Sequence, residues 1–206
     1  MNKIIRFGED VEGYDIPVLN EREIRATAGL LFLLMFISIM IVIFEDHYLM
    51  LKYAIVIFLT DFIIRVFVKP KFSPTLIVGR LIVRNQVPEY VGAQQKKFAW
   101  IIGVTLSATM FFLIVILNLD NPITTFLCYI CITFLFFETA FGICIGCKIY
   151  SWVYQDKAQY CPGEVCGVST KQATQKTTKV QKVIVLGFIT YIFLIEYVFN
   201  DYFLAF

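Results

Sequence analysis

The sequence predicts an all-α membrane protein with a four-helix transmembrane core, a fifth C-terminal transmembrane helix and a short interfacial helix. Three observations predict it. The chain is 59% hydrophobic and 17% charged over 206 residues, with mean hydropathy +0.74, a membrane composition rather than a soluble one. Its apolar residues arrive in blocks of about 20, the length at which a helix crosses the hydrocarbon layer with every backbone polar group satisfied internally. Finally, sixteen of the eighteen Lys and Arg residues fall in alternate connections between those blocks, as in a multi-spanning chain sorted by the positive-inside rule.

The blocks place spans at about residues 26–44, 49–68, 98–119, 123–147 and 183–203. Ahead of the first, residues 1–25 form a cytoplasmic N-terminal segment in which Gly8, Gly13 and Pro17 interrupt any period. Asn20 followed by Glu23 then signals a capped helix start. Lys3, Arg6, Arg22 and Arg25 precede span one, while the following loop carries Glu45, Asp46 and His47 but no Lys or Arg. Between spans two and three, Lys69, Lys71, Arg80, Arg84, Lys96 and Lys97 fill a long loop. Within that loop, TLIVGRLIVR follows Ser73 and Pro74 and sets Arg80 and Arg84 one turn apart, suiting a helix lying in the interface. Val87 to Lys97 is expected to be irregular.

Asp120 and Asn121 leave the third loop without cations, and Lys148 begins a further run of six after the fourth span. The core is therefore assigned to residues 26–150, a cytoplasmic Cys-containing loop and linker to 151–182, and the fifth span to 183–206. The charge pattern sets the N-terminus in the cytoplasm and the C-terminus outside. The first apolar block begins too late and runs too long for a signal peptide.

Six cysteines form three pairs. Cys128 and Cys131 lie inside the fourth span and are read as small packing residues. Cys144, Cys147, Cys161 and Cys166 follow a CxxC, thirteen-residue, CxxxxC pattern on the side assigned to the reducing cytoplasm, where a permanent disulfide is not expected. Four thiolates at that spacing suit one tetrahedral zinc, or iron. A redox couple, centred on Cys144 and Cys147, and inert interfacial thiols stand beside that metal reading. Lys148, Lys157, Arg80 and Arg84 are the cations expected to stabilise thiolates.

Ionisable groups within spans are costly and normally paired inside the bundle. Asp61 and Arg65 share a helix face, and Glu138 lies at similar depth, so these three are expected to form one polar centre. Glu196 is expected to meet Lys52, and Gly142 with Gly146 reads as a GxxxG packing step. If the fourth helix stays regular, Cys144 and Cys147 point away from Glu138. A single histidine, in an outer loop, leaves no nucleophile, base and acid set for a hydrolase.

Several stretches resemble a family of small bacterial integral membrane proteins described only as a domain of unknown function: VLNEREIRATAG, Asp61 with Arg65, the Phe72–Ser73–Pro74 turn, Val91 to Ala93, Phe98 with Ala99, and above all GICIGCKIY at 142–150. The resemblance covers about residues 18–150 and implies a four-helix core with a GxCxGCxxY motif at its inner face. The CPGEVC loop and fifth helix then read as an extension.

Function is accordingly expected to lie in thiol redox, sulfur handling or metal binding. The expected partners are the bilayer and a soluble thiol-redox or sulfur-carrier protein, with no nucleic acid. One alternative is a structural or accessory subunit in which a metal staples the cysteine loop to the bundle. Another is a small transporter that uses Asp61, Arg65 and Glu138.

Overall fold

The computed structural model describes residues 7–154 and 178–204. Seven α-helices carry the described chain, together with one short ribbon of two strands. Helix α1 (Glu21–Glu45) starts where Asn20 accepts the Arg22 N–H. It ends at Asp46, whose backbone is left-handed and whose N–H returns to the Val42 carbonyl. Helix α2 (Leu49–Ile63) runs on through a π-helical turn, Ile64–Val68. Helix α3 (Pro74–Ile82) is capped by Ser73, which accepts the Leu76 N–H, with proline at the first position, where no N–H is needed.

Helix α4 (Ala93–Met110) likewise continues through a π turn, Phe111–Ile116. Asn121 and Thr124 form a reciprocal capping box for α5 (Pro122–Phe136), which widens into the π turn Phe137–Phe141. Helices α6 (Ile145–Tyr154) and α7 (Lys179–Leu204) complete the described chain.

Four helices are long and apolar enough to cross a membrane: Glu21–Glu45, Ala93–Ile116, Pro122–Phe141 and Lys179–Phe199. This is an all-α membrane protein. The fifth expected span, α2 with its π turn, has the length but carries Lys52, Asp61 and Arg65, all buried. Its polar groups therefore face the bundle, as expected for charges at membrane depth. Helix α1 packs on α2, α3 and α5, α2 packs on α4, and α4 packs on α6. Leu31, Met35, Ile55, Phe58, Met110 and Leu135 fill the centre of the bundle. Helix α7 lies along α3 and α2, with 6% of its apolar window buried against 22% or more in the other three.

Two local expectations are corrected. Residues 18–20 and 90–92, expected to be irregular, pair as antiparallel strands β1 (Val18–Asn20) and β2 (Tyr90–Gly92), with Leu19 opposite Val91. Three-residue strands are too short for alternation to show in a sequence. The ribbon joins the starts of α1 and α4, and helix α4 begins at Ala93 rather than near Phe98. That moves Lys96 and Lys97 out of a loop and onto a helix.

Candidate dithiol site

The fourth span does not stay regular to Cys147. Its π turn ends at Gly142, which takes a left-handed backbone (φ +66). Only glycine adopts that conformation at little cost, and a Cβ there would also meet the Arg25 guanidinium at 3.1 Å. The chain therefore breaks and restarts as α6. Gly142 and Gly146 do not share one helix face as a GxxxG step would require. Gly146 acts alone: a Cβ at that position would sit 2.5 Å from Ala99 Cβ, so glycine sets how closely α6 approaches α4.

The restart places Cys144 at the head of α6. Its Sγ accepts the Cys147 backbone N–H at 3.3 Å and the Cys147 thiol at 2.6 Å. A sulfur at a helix N-terminus that receives two donors sits where negative charge is stabilised. Both residues are buried. The Cys147 thiol is pushed well up, first by its hydrogen bond to Cys144 and then by burial, with Lys96 pulling the other way.

Lys96 is the cation of this site. It is 1% exposed, its Nζ stands 2.8 Å from Glu21 Oε2 and 2.8 Å from Glu138 Oε1, and its field reaches both sulfurs. Glu138 accepts a hydrogen bond from it. Lys96 meets Glu21 Oε2 as a buried charge contact, and neither Glu21 oxygen has another donor among the described residues. The four groups come from four elements: Glu21 from the first turn of α1, Lys96 from α4, Glu138 from the π turn after α5, and the cysteines from α6. Behind Cys144 lies a cavity of about 50 Å³ bounded by Phe58, Phe62, Trp100, Cys131 and Glu138.

The expected polar centre splits in two. Glu138 belongs to Lys96, not to Asp61 and Arg65. Asp61, fully buried, instead collects Arg65 Nε (2.7 Å), Ser73 Oγ (2.7 Å), Thr75 Oγ1 (2.6 Å) and the Thr75 N–H (3.1 Å). Arg65 also donates to Thr75 Oγ1 at 2.7 Å and lies over the Phe62 ring at 4.5 Å. This saturated network ties the turn ahead of α3 to α2. Glu138 sits in the π turn that ends α5 and meets the start of α4 at Lys96.

The cations expected near the thiols lie elsewhere. Lys148 and Arg84 are exposed, and Arg80 donates to Glu23 (3.0 Å) and Glu9 (3.2 Å). Burial opposes the charge on Arg80, but the Glu23 and Glu9 carboxylates overcome that and raise it. Lys157, Cys161 and Cys166 fall outside the described residues. Among the described residues, no group of three or more His, Cys, Asp and Glu is arranged to hold a metal. Cys128 and Cys131 are buried in α5. Lys52 is buried without an ion pair to Glu196, which points outward.

Fold and site thus define a multi-spanning, all-helical membrane protein whose CxxC pair opens a short helix beside a buried lysine. The chain belongs to the family described as a domain of unknown function, DUF4395, whose model matches residues 19–155. The matched region holds the whole Lys96, Glu21, Glu138 and dithiol arrangement and excludes α7. No curated protein and no solved structure matches the chain.

Proposed function

We propose that this protein is a membrane thiol–disulfide exchange component, with Cys144 as the attacking thiolate and Cys147 as the resolving thiol. The observation that carries it is the sulfur of Cys144, at the start of α6, accepting both the thiol and the backbone N–H of Cys147 beside Lys96. In the forward direction Cys144 attacks one sulfur of a partner disulfide, forming a mixed disulfide and expelling the partner's other sulfur as thiolate. Cys147 then loses its proton and attacks Cys144 Sγ, closing the internal disulfide and releasing the second partner thiolate. Two electrons pass to the partner, which takes up two protons and ends as a dithiol. Reduction of this protein is the reverse sequence. The alternating cations support a cytoplasmic dithiol facing a soluble thiol-redox or sulfur-carrier partner.

The transporter alternative loses its main support, because Asp61 and Arg65 are saturated with local partners. The test is to trap the intermediate. Purified Cys147→Ser protein treated with oxidised glutathione should accumulate a stable adduct on Cys144, whereas Cys144→Ser should leave Cys147 far less modified. Stoichiometric zinc, with all thiols protected until chelation, would replace this reading with a structural metal site.

A further inference from the structure

The exchange described above leaves one proton without a destination. Cys147 must lose it before its sulfur can attack Cys144 Sγ, and both cysteines are buried, so the acceptor has to come from the bundle itself. Two carboxylates stand at the site, Glu21 and Glu138, each 2.8 Å from Lys96 Nζ. Glu21 cannot serve, because it is 0% exposed and both its oxygens are sealed in the bundle, so a proton placed there has no onward path. Glu138 differs in each respect. Its side chain keeps 17% of its surface exposed. Lys96 donates only to Oε1, and Oε2 accepts no hydrogen bond among the described residues and is not sealed.

Glu138 also shares a space with the thiols. It lines the cavity of about 50 Å³ together with Cys144, whose sulfur is 2.6 Å from that of Cys147. With those two residues on its wall, the cavity has both room and polar partners for a water, and one water suffices to carry a proton between groups that do not touch. Among the carboxylates, Glu138 is the one whose charge bears most on the Cys147 thiol. It sits in the π turn Phe137–Phe141, a local widening that is frequent at functional sites. The charged and titratable groups around it are Lys96 from α4, Glu21 and Arg25 from the start of α1, and Cys144 and Cys147 from α6. Helix α2 brings only Phe58 and Phe62 to the cavity.

We infer that Glu138 is the proton acceptor of the resolving step, which deepens the exchange reading and rests on it. In the mixed disulfide, Cys144 Sγ is bonded to a partner sulfur. The Cys147 S–H bond breaks, its proton passes through the cavity to Glu138 Oε2, and the electron pair left on Cys147 Sγ forms the Cys144–Cys147 bond. The bond from Cys144 to the partner breaks, and its electron pair leaves on the partner sulfur as a thiolate. That thiolate takes a proton from solvent, to which Glu138 returns its own. Glu21 keeps Lys96 paired while Glu138 holds the proton. Two roles for Glu138 then predict opposite effects. As a charge alone it opposes ionisation of Cys147, so Glu138→Gln would speed resolution. As the acceptor, its loss slows resolution.

The test uses full-length protein in dodecyl maltoside carrying Cys161→Ser and Cys166→Ser, so that Cys147 is the resolving thiol measured. Samples mixed with oxidised glutathione are quenched with acid at intervals, and the adduct on Cys144 is quantified by mass spectrometry. In a Cys147→Ser background, Glu138→Gln should form that adduct at least as fast as Cys147→Ser alone, which also shows that the variant folds. With Cys147 present, Glu138→Gln should accumulate the adduct and resolve it about a hundredfold more slowly at pH 7 than the Glu138 protein. Its rate should climb about tenfold per pH unit as hydroxide takes over as acceptor, whereas the Glu138 protein should stay nearly level from pH 7 to 9. Glu138→Asp, which keeps the carboxylate, should recover most of the rate. Resolution in Glu138→Gln as fast as with Glu138, or faster, would overturn the proposal and leave the exchange itself intact. So would Glu138→Asp resolving no faster than Glu138→Gln. Failure of Cys147→Ser to form any adduct on Cys144 would overturn the exchange, and this step with it.

Discussion

Replacing Lys96 with methionine removes the cation from the dithiol site while keeping most of the side-chain volume. Glu21 Oε2 and Glu138 Oε1 each lie 2.8 Å from Lys96 Nζ, so they are no more than about 5.6 Å from each other. At an effective dielectric of about 20, two like charges at that separation repel by at least ~3 kcal/mol. Breaking a buried ion pair by deleting one partner costs roughly 3–5 kcal/mol by the same logic. For a chain of this size that corresponds to a fall in Tm of about 6–20 °C, readable from intrinsic fluorescence in detergent. Glu21→Gln in the same chain removes the fully buried acid and should restore most of the loss, because the Glu138 side chain keeps 17% of its surface exposed.

Thiol chemistry separates the two roles of Lys96. A unit charge within about 12 Å of a thiolate stabilises it by ~1.4 kcal/mol at the same dielectric, a factor of ten. Alkylation of Cys144 near neutral pH should therefore slow by about tenfold in Lys96→Met relative to wild type, and by about tenfold in the Glu21→Gln/Lys96→Met double variant relative to Glu21→Gln alone. Alkylation equal in the double variant and in Glu21→Gln would make Lys96 a counter-ion to Glu21 alone. It would also refute its assignment to the thiols.

Three further outcomes follow from the same geometry. The Cys147 thiol is held above its ordinary value of 9.0, so above about pH 9 the unfolded chain releases a proton that the folded chain keeps. Stability contributed below that pH is then lost as pH rises, by up to ~1.4 kcal/mol per unit, and thermal melts of Cys147→Ser from pH 8 to 10 should show a shallower fall than wild type. Asp61→Asn leaves Arg65 buried without its carboxylate and should cost about 3–5 kcal/mol, yet leave the Cys144 alkylation rate unchanged. A loss of thiol reactivity in that variant would join the two networks that the geometry separates. Gly146→Ala drives a methyl to within 2.5 Å of Ala99 Cβ and should cost about 1–3 kcal/mol. By prising α6 from α4 it should quicken alkylation of Cys147, and unaltered kinetics would show that this contact does not shield the thiols.

The parts of the fold written in length and composition could be read from the sequence. Apolar blocks mark the spans because lipid accepts only internally bonded backbone, and Asn20, Ser73 and Pro74 mark helix starts because capping is local chemistry. The Asp61–Arg65 pair was readable for the same reason, being a contact one turn long. The dithiol site was not, because its assembly depends on one residue's backbone. Without knowing that Gly142 is left-handed, a continuous helix sends Cys144 and Cys147 away from Glu138, and the sequence then offers surface cations such as Lys148 as their partners. Lys96 was hidden by a second non-local event. The β1–β2 pairing, across about seventy residues of sequence, starts α4 early enough to bury it. The one available signal was that Lys96 stands three and four residues before Ala99 and Trp100, on a single helical face.

The two buried charge networks differ in a way that bears on function. Asp61 spends both oxygens on four donors, and Arg65 spends its guanidinium on Asp61, Ser73, Thr75 and the faces of two aromatic rings. A network so complete resists a change of charge, because any proton gained or lost breaks several bonds at once, and it serves to hold a turn. Lys96 instead sits between two acids that it does not fully satisfy, with Glu21 left short of donors and two sulfurs within its field. When Cys144 carries charge, Lys96 has a third anion to balance. When the disulfide of the proposed exchange forms, that anion disappears, and the same lysine still has two carboxylates to hold it in place. A cation that keeps two carboxylates stays paired in both states of the proposed exchange, so Lys96 is never left as an unpaired buried cation. The saturated pair at Asp61 has no such latitude, so it holds the turn ahead of α3 while the thiols carry the proposed exchange.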